Sequence, residues 1–128
     1  MNYNPKDELV VTAPVHIERG RIADLVSCAL DGGSTYWLSA VKLWIPEEWP
    51  EDCEYMSDVV ASGLARWVFF DTEDPINVRH PENLCPSALY LMAKNHPKHF
   101  QDFLDENEDA DTGDIFFQLM CFGEVVYG

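Results

Sequence analysis

Lysine and arginine are scarce in this chain: eight of them face 23 aspartates and glutamates across 128 residues, a formal net charge of −15. From Leu43 to Ala65 there is neither Lys nor Arg, and the same holds from His99 to Gly128. A surface this poor in cations cannot neutralise phosphates, which excludes direct nucleic-acid binding. Long apolar runs are missing too. None reaches the ~18 residues that a membrane span needs. The N-terminal stretch MNYNPKDELVV lacks the basic-then-apolar layout of a secretory signal, so the sequence predicts a cytoplasmic chain. No C-x-x-C pair occurs: Cys28, Cys53, Cys85 and Cys121 are widely spaced, and in a non-secreted chain they read as reduced, small apolar residues. Walker, G-x-S-x-G, H-E-x-x-H and dinucleotide fingerprints are likewise missing. His16 and His80 stand alone, and His96 and His99 flank Pro97-Lys98 with no nucleophile in register. The expectation is a protein that is not an enzyme and needs no cofactor.

What is present is carboxylate, in two dense blocks. Glu47, Glu48, Glu51, Asp52, Glu54 and Asp58 form the first, and Asp102, Asp105, Glu106, Glu108, Asp109, Asp111 and Asp114 the second. Such packing opposes compaction, and in return it attracts a basic partner and accelerates its approach. The series Asp105, Asn107, Asp109, Asp111 mimics the start of a calcium loop. It then fails where geometry is strictest, with Ala110 at the glycine position and Phe116 where a bidentate Glu must close the site. Trp49, inside PEEWPED, is an aromatic in an acidic, proline-bounded loop and suits a binding anchor. The candidate partner-binding residues are therefore Glu47, Glu48, Trp49, Glu51, Asp52, Glu54, Asp58, Asp102, Asp105, Glu106, Glu108, Asp109 and Asp111.

A composition that is 47% hydrophobic and 12% aromatic supports one packed core, and the length suits a single domain over residues 1–128. Strands are expected at Glu8–Ala13, Tyr36–Ile45 (buried on both faces) and Leu64–Asp71, with Ile76–Arg79 returning as a hairpin partner. Helical spacing runs from Ile22 to Leu30, stopped by Asp31-Gly32-Gly33, and a short helix spans Tyr55–Ser62 before Gly63. Further helices follow from Asn83 or Cys85 to Asn95, from Pro97 through Leu104, and from Asp111-Thr112-Gly113-Asp114, read as a cap, to Gly123. Strands first and helices later predict an α+β fold, an antiparallel sheet of three to five strands packed against three or four helices. Gly32, Gly33, Trp37, Phe122 and Gly123 are expected to hold the first and last helices against the central strand, with both glycines at positive φ.

Two segments carry a resemblance. Cys28-Ala29-Leu30-Asp31-Gly32-Gly33-Ser34-Thr35-Tyr36-Trp37 is similar to the ALEGG…YW element of a family of small phage and prophage accessory proteins, with Asp31 where Glu is commoner. The stretch from Asp109-Ala110-Asp111-Thr112-Gly113-Asp114 through Gln118 to Phe122-Gly123-Glu124-Val125-Val126-Tyr127-Gly128 resembles that family's C-terminal element. The resemblance implies an accessory protein that inhibits a host defence system, anti-CRISPR or anti-restriction, in the bacterial cytoplasm. Its acidic surface would act as a DNA mimic in the nucleic-acid site of a basic host protein. The alternative is a small-molecule or nucleotide-sequestering protein built on Gly32-Gly33 and Tyr36-Trp37. A continuous acidic face favours the first, and a pocket with an inward Arg19, Arg21 or Arg79 the second.

Overall fold

The computed structural model describes residues 3–11 and 13–128. Among them the order is α1 (Arg19–Cys28), β1 (Leu38–Leu43), α2 (Met56–Ser62), β2 (Trp67–Asp71), α3 (Cys85–Asn95), α4 (Pro97–Leu104) and α5 (Ala110–Phe122). Helix and sheet are both present, but strands and helices alternate early rather than separating, and the described residues hold five α-helices and a two-stranded antiparallel sheet. The expected sheet of three to five strands is thus too large and the expected three or four helices too few.

The missing strands show why. Glu8–Val11 and Ala13 are irregular (Thr12 lies outside the described residues), and Leu9, Val10 and Val11 stand 93%, 95% and 81% exposed. Three β-prone residues do not make a strand without a ladder to join, because strand propensity largely measures packing against neighbours. Ile76–Arg79 contributes one bridge only, Arg79 exchanging both backbone hydrogen bonds with Phe69 at 3.0 and 2.9 Å. Burial is reversed between the two real strands. β1, expected to be buried on both faces, is only partly covered, with Ser39 and Lys42 exposed, whereas β2 buries Trp67, Val68, Phe69 and Asp71 on both faces.

α5 is the axis of the molecule. Nine of its thirteen residues are buried, and it packs on α1, α3 and α4. An all-round buried helix cannot be amphipathic, and its polar positions must find partners inside. α1 packs against both α2 and α5. The α1–α5 crossing is close because Gly113 has no side chain: a Cβ there would lie 2.6 Å from Cys28 Cβ and 2.8 Å from Ala29 N. α1 ends in one π-type turn over Ala29–Gly33, closed by the Ser34 N–H donating to the Ala29 carbonyl at 2.8 Å. Gly63 (φ 67°) and Gly123 (φ 75°) end α2 and α5 in the left-handed conformation that glycine adopts without strain. Gly32 does not, since its φ of 176° is extended. Gly33 is required for a different reason than expected: a Cβ would collide with the Ala110 carbonyl.

Candidate functional site: an acidic face around α1

The two sequence segments singled out by resemblance meet at one buried carboxylate. Asp114, on α5, accepts hydrogen bonds from Ser34 Oγ (2.7 Å), Trp37 Nε1 (2.7 Å), Tyr36 Oη (2.7 Å) and Gln118 Nε2 (3.1 Å). Gln118 extends the network to the C-terminus. Its Oε1 accepts the Val126 and Tyr127 N–H groups, both at 2.8 Å, and its Nε2 donates to the Tyr127 carbonyl. Trp37, 1% exposed, packs on Phe69, Phe117 and Phe122 and stacks on Tyr127. Burial, together with the hydrogen bond to Asp114, pushes the Tyr36 hydroxyl up to about 12. Every acceptor position is used by protein donors, so Gly32-Gly33 and Tyr36-Trp37 build a clasp between α1, α5 and the C-terminal tail. Gly32 also borders an open surface hollow, and the Tyr36 ring stays half-exposed. Sequence reasoning placed Asp114 in a helix cap. The helix instead starts at Asp109, and Asp114 turns inward.

Four of the candidate binding carboxylates hold the fold. Glu47 accepts from Arg66 Nε at 2.6 Å. Asp58 accepts the Glu54 and Tyr55 N–H groups at 3.0 and 2.9 Å and closes the N-terminus of α2. Asp109 caps α5, accepting from Thr112 N (2.9 Å) and Thr112 Oγ1 (3.1 Å), and these bonds hold its carboxyl below the usual range despite partial burial. Glu108 meets Arg21 through both oxygens, at 2.5 and 3.2 Å, while Arg21 Nη2 also donates to the Phe103 carbonyl at 2.6 Å. Burial alone would raise Glu108, but the bonds from Arg21 and a backbone N–H prevail and lower it. Reversing the charge at any of these four would therefore remove an intramolecular contact as well as a surface charge. Their cations and N–H partners lie far off in sequence or on the backbone.

The remaining acids face outward. Glu48, Glu51, Asp52, Glu54, Asp105, Glu106 and Asp111 are exposed, and Asp102 is half-buried. Trp49 is 45% exposed, and its Nε1 donates to the Cys53 carbonyl at 2.6 Å, which folds the loop on itself.

The blocks, far apart in the chain, converge on α1. Glu51, Asp52 and Asp58 border a depression whose other wall is Arg19, Gly20 and Ala23. Further along the same helix, Asp24 and Asp31 line an open hollow with Ser27 and Ala110, and Glu106 lies 3.8 Å from Arg21. Burial and the charges of Glu108, Asp24, Asp109 and Asp31 together raise the Cys28 thiol, which marks the local field as negative. Asp24 and Asp31 belong to this surface although the sequence reading omitted them. Their helical spacing opposite the apolar stripe of α1 was the available signal.

Of the three arginines that bear on the alternative, Arg19 lines an apolar groove, whereas Arg21 is held by Glu108. Arg79 binds Asp71 (2.7 Å) and lies over the Phe69 and Phe122 rings. The chain matches no protein-family model, and neither a curated protein nor a solved structure is detectably similar to it. No described helix is long and apolar enough to cross a membrane.

Proposed function

We propose that this chain is a phage-type inhibitor of a host defence system, anti-CRISPR or anti-restriction, acting in the bacterial cytoplasm without catalysis or a cofactor. Its acidic face occupies the nucleic-acid site of a basic host protein in the manner of a DNA mimic. The observation that carries the reading is the convergence of Glu51, Asp52, Asp24, Asp31 and Glu106 along α1 from three separate parts of the chain. DNA presents one negative charge per ~1.7 Å of axis, and its binders line clefts with Lys and Arg to match. A rigid helix flanked by carboxylates offers comparable charge that cannot be unwound or cut. The likeness of the two clasp segments to phage accessory proteins supports the same reading. The sequestering alternative has less behind it at Gly32-Gly33 and Tyr36-Trp37, where the Tyr36 hydroxyl and the Trp37 N–H are already bound to Asp114, although Arg19 lines an apolar groove elsewhere on α1.

The test is capture from a defence-carrying host, comparing the native chain with a reversal of exposed acids alone: Asp24→Lys, Asp31→Lys, Glu51→Lys and Asp52→Lys. Capture of a CRISPR surveillance complex or restriction enzyme should weaken by roughly tenfold or more, while thermal melting stays near native. Binding should also fade as salt approaches about 1 M, where the Debye length is ~3 Å. Salt-insensitive capture that survives the four reversals would eliminate the mimic.

A further inference from the structure

On the side of α1 carrying Ile22, the charge pattern inverts. A groove of about 500 Å³ runs between the N-terminal segment and α3, walled by Val15 and Ile17 on one side and Leu89 and Ala93 on the other, with Phe100 of α4 at its end. Among the described residues no carboxylate lines it, in a chain where 23 of 128 residues are acidic. Its charged lining residue is Arg19. That guanidinium donates through Nη1 to the Ala61 carbonyl at 2.6 Å and makes no ion pair among the described residues. Arg21, Arg66 and Arg79 all have carboxylate partners. Cys85 adds a neutral surface at the groove, because burial pushes its thiol up to about 11.

We propose that this groove binds a small amphiphilic anion, an aliphatic chain carrying one carboxylate, with the head group on Arg19 and the chain between α3 and the Val15–Ile17 segment. Small-molecule sites are typically apolar clefts of ~300–1,000 Å³ in which a few polar groups fix orientation. Arg19, which makes no ion pair among the described residues and lines an acid-free apolar cleft, supplies that one orienting charge, and a guanidinium's planar fork matches a carboxylate through two N–H groups. The walls offer nothing to a polyanion such as a nucleotide, which would need several donors. Arg19 also borders the depression of Glu51, Asp52 and Asp58, but the groove's apolar walls lie on other elements and the proposal does not depend on the mimic reading.

Calorimetric titration of the native chain with decanoate and, in parallel, with decanol tests it. One saturable decanoate site is expected. Ala93→Trp and Val15→Trp, which fill the groove from opposite walls, should each weaken decanoate at least about tenfold, and circular dichroism identifies a variant that has unfolded. Arg19→Gln should weaken decanoate roughly tenfold while changing decanol less than about twofold. No saturable binding by the native chain would overturn the proposal. So would decanoate binding that ignores both folded groove-filling variants, or an equal loss of decanoate and decanol in Arg19→Gln.

Discussion

Asp114 is a buried carboxylate with four side-chain donors and no basic residue among them. Its charge is tolerated because every lone pair is used, and an amide in its place would aim N–H groups at donors. Asp114→Asn should therefore cost about 2–4 kcal/mol, read as a lower denaturation midpoint at unchanged m-value. Ultraviolet titration of the same variant should find Tyr36 ionising below its native value of about 12, since one of the causes that raise it has gone. The glycines give a sharper contrast. Gly33→Ala meets the Ala110 backbone and Gly113→Ala meets the α1 backbone, so each should lose about 1–3 kcal/mol. Gly32→Ala has nothing within 4 Å and an extended φ, and should melt within about 0.5 kcal/mol of the native chain. Glycine at all three positions looked alike in the sequence. Backbone proximity separates them.

At the level of elements, the acidic loop between α4 and α5 is held by two of its own carboxylates. Glu108 and Asp109 are both depressed in the folded state, so their stabilisation is complete above the ordinary carboxylate values of about 4. It is lost as pH falls through the lower folded values. Urea melts from pH 7 to pH 3 should show that decline, and Glu108→Gln with Asp109→Asn should flatten it. Asp109→Ala alone should cost about 1 kcal/mol as a lost helix cap. Much at this scale was legible beforehand. Proline at the starts of α3 and α4, and glycine after α2 and α5, mark helix ends by rules that act within a few residues. The false strand at Glu8–Ala13 and the overlong one at Tyr36–Ile45 were illegible because strand pairing is settled by a partner elsewhere in the chain.

Across the whole molecule, charge is sorted by surface. Carboxylates gather around one side of α1 and an apolar groove occupies another, with Arg19 bordering both. The exposed acids repel one another, so moderate salt should raise the melting temperature of the isolated chain even as it weakens a complex made through them. Glu48→Gln, Glu51→Gln and Glu54→Gln combined should bring the low-salt melting temperature up toward the high-salt one. A chain whose melting temperature ignores both salt and these three changes would show that its carboxylates lie too far apart to repel.

The sequence by itself determined the extent of negative charge, the helix ends, the two true strands in outline and the involvement of both clasp segments in holding the first and last helices. These follow from composition and from interactions a few residues long. Only the tertiary structure decided which carboxylates are free. Glu47, Glu108 and Asp114 read like their neighbours until Arg66, Arg21 and the Ser34–Trp37 segment arrive from 19, 87 and about 80 residues away. Long-range partners leave no mark in local spacing, because the chain between them is free to vary. For the same reason the convergence of the acidic blocks on α1, and the acid-free groove on its other side, exist only once the helices have packed.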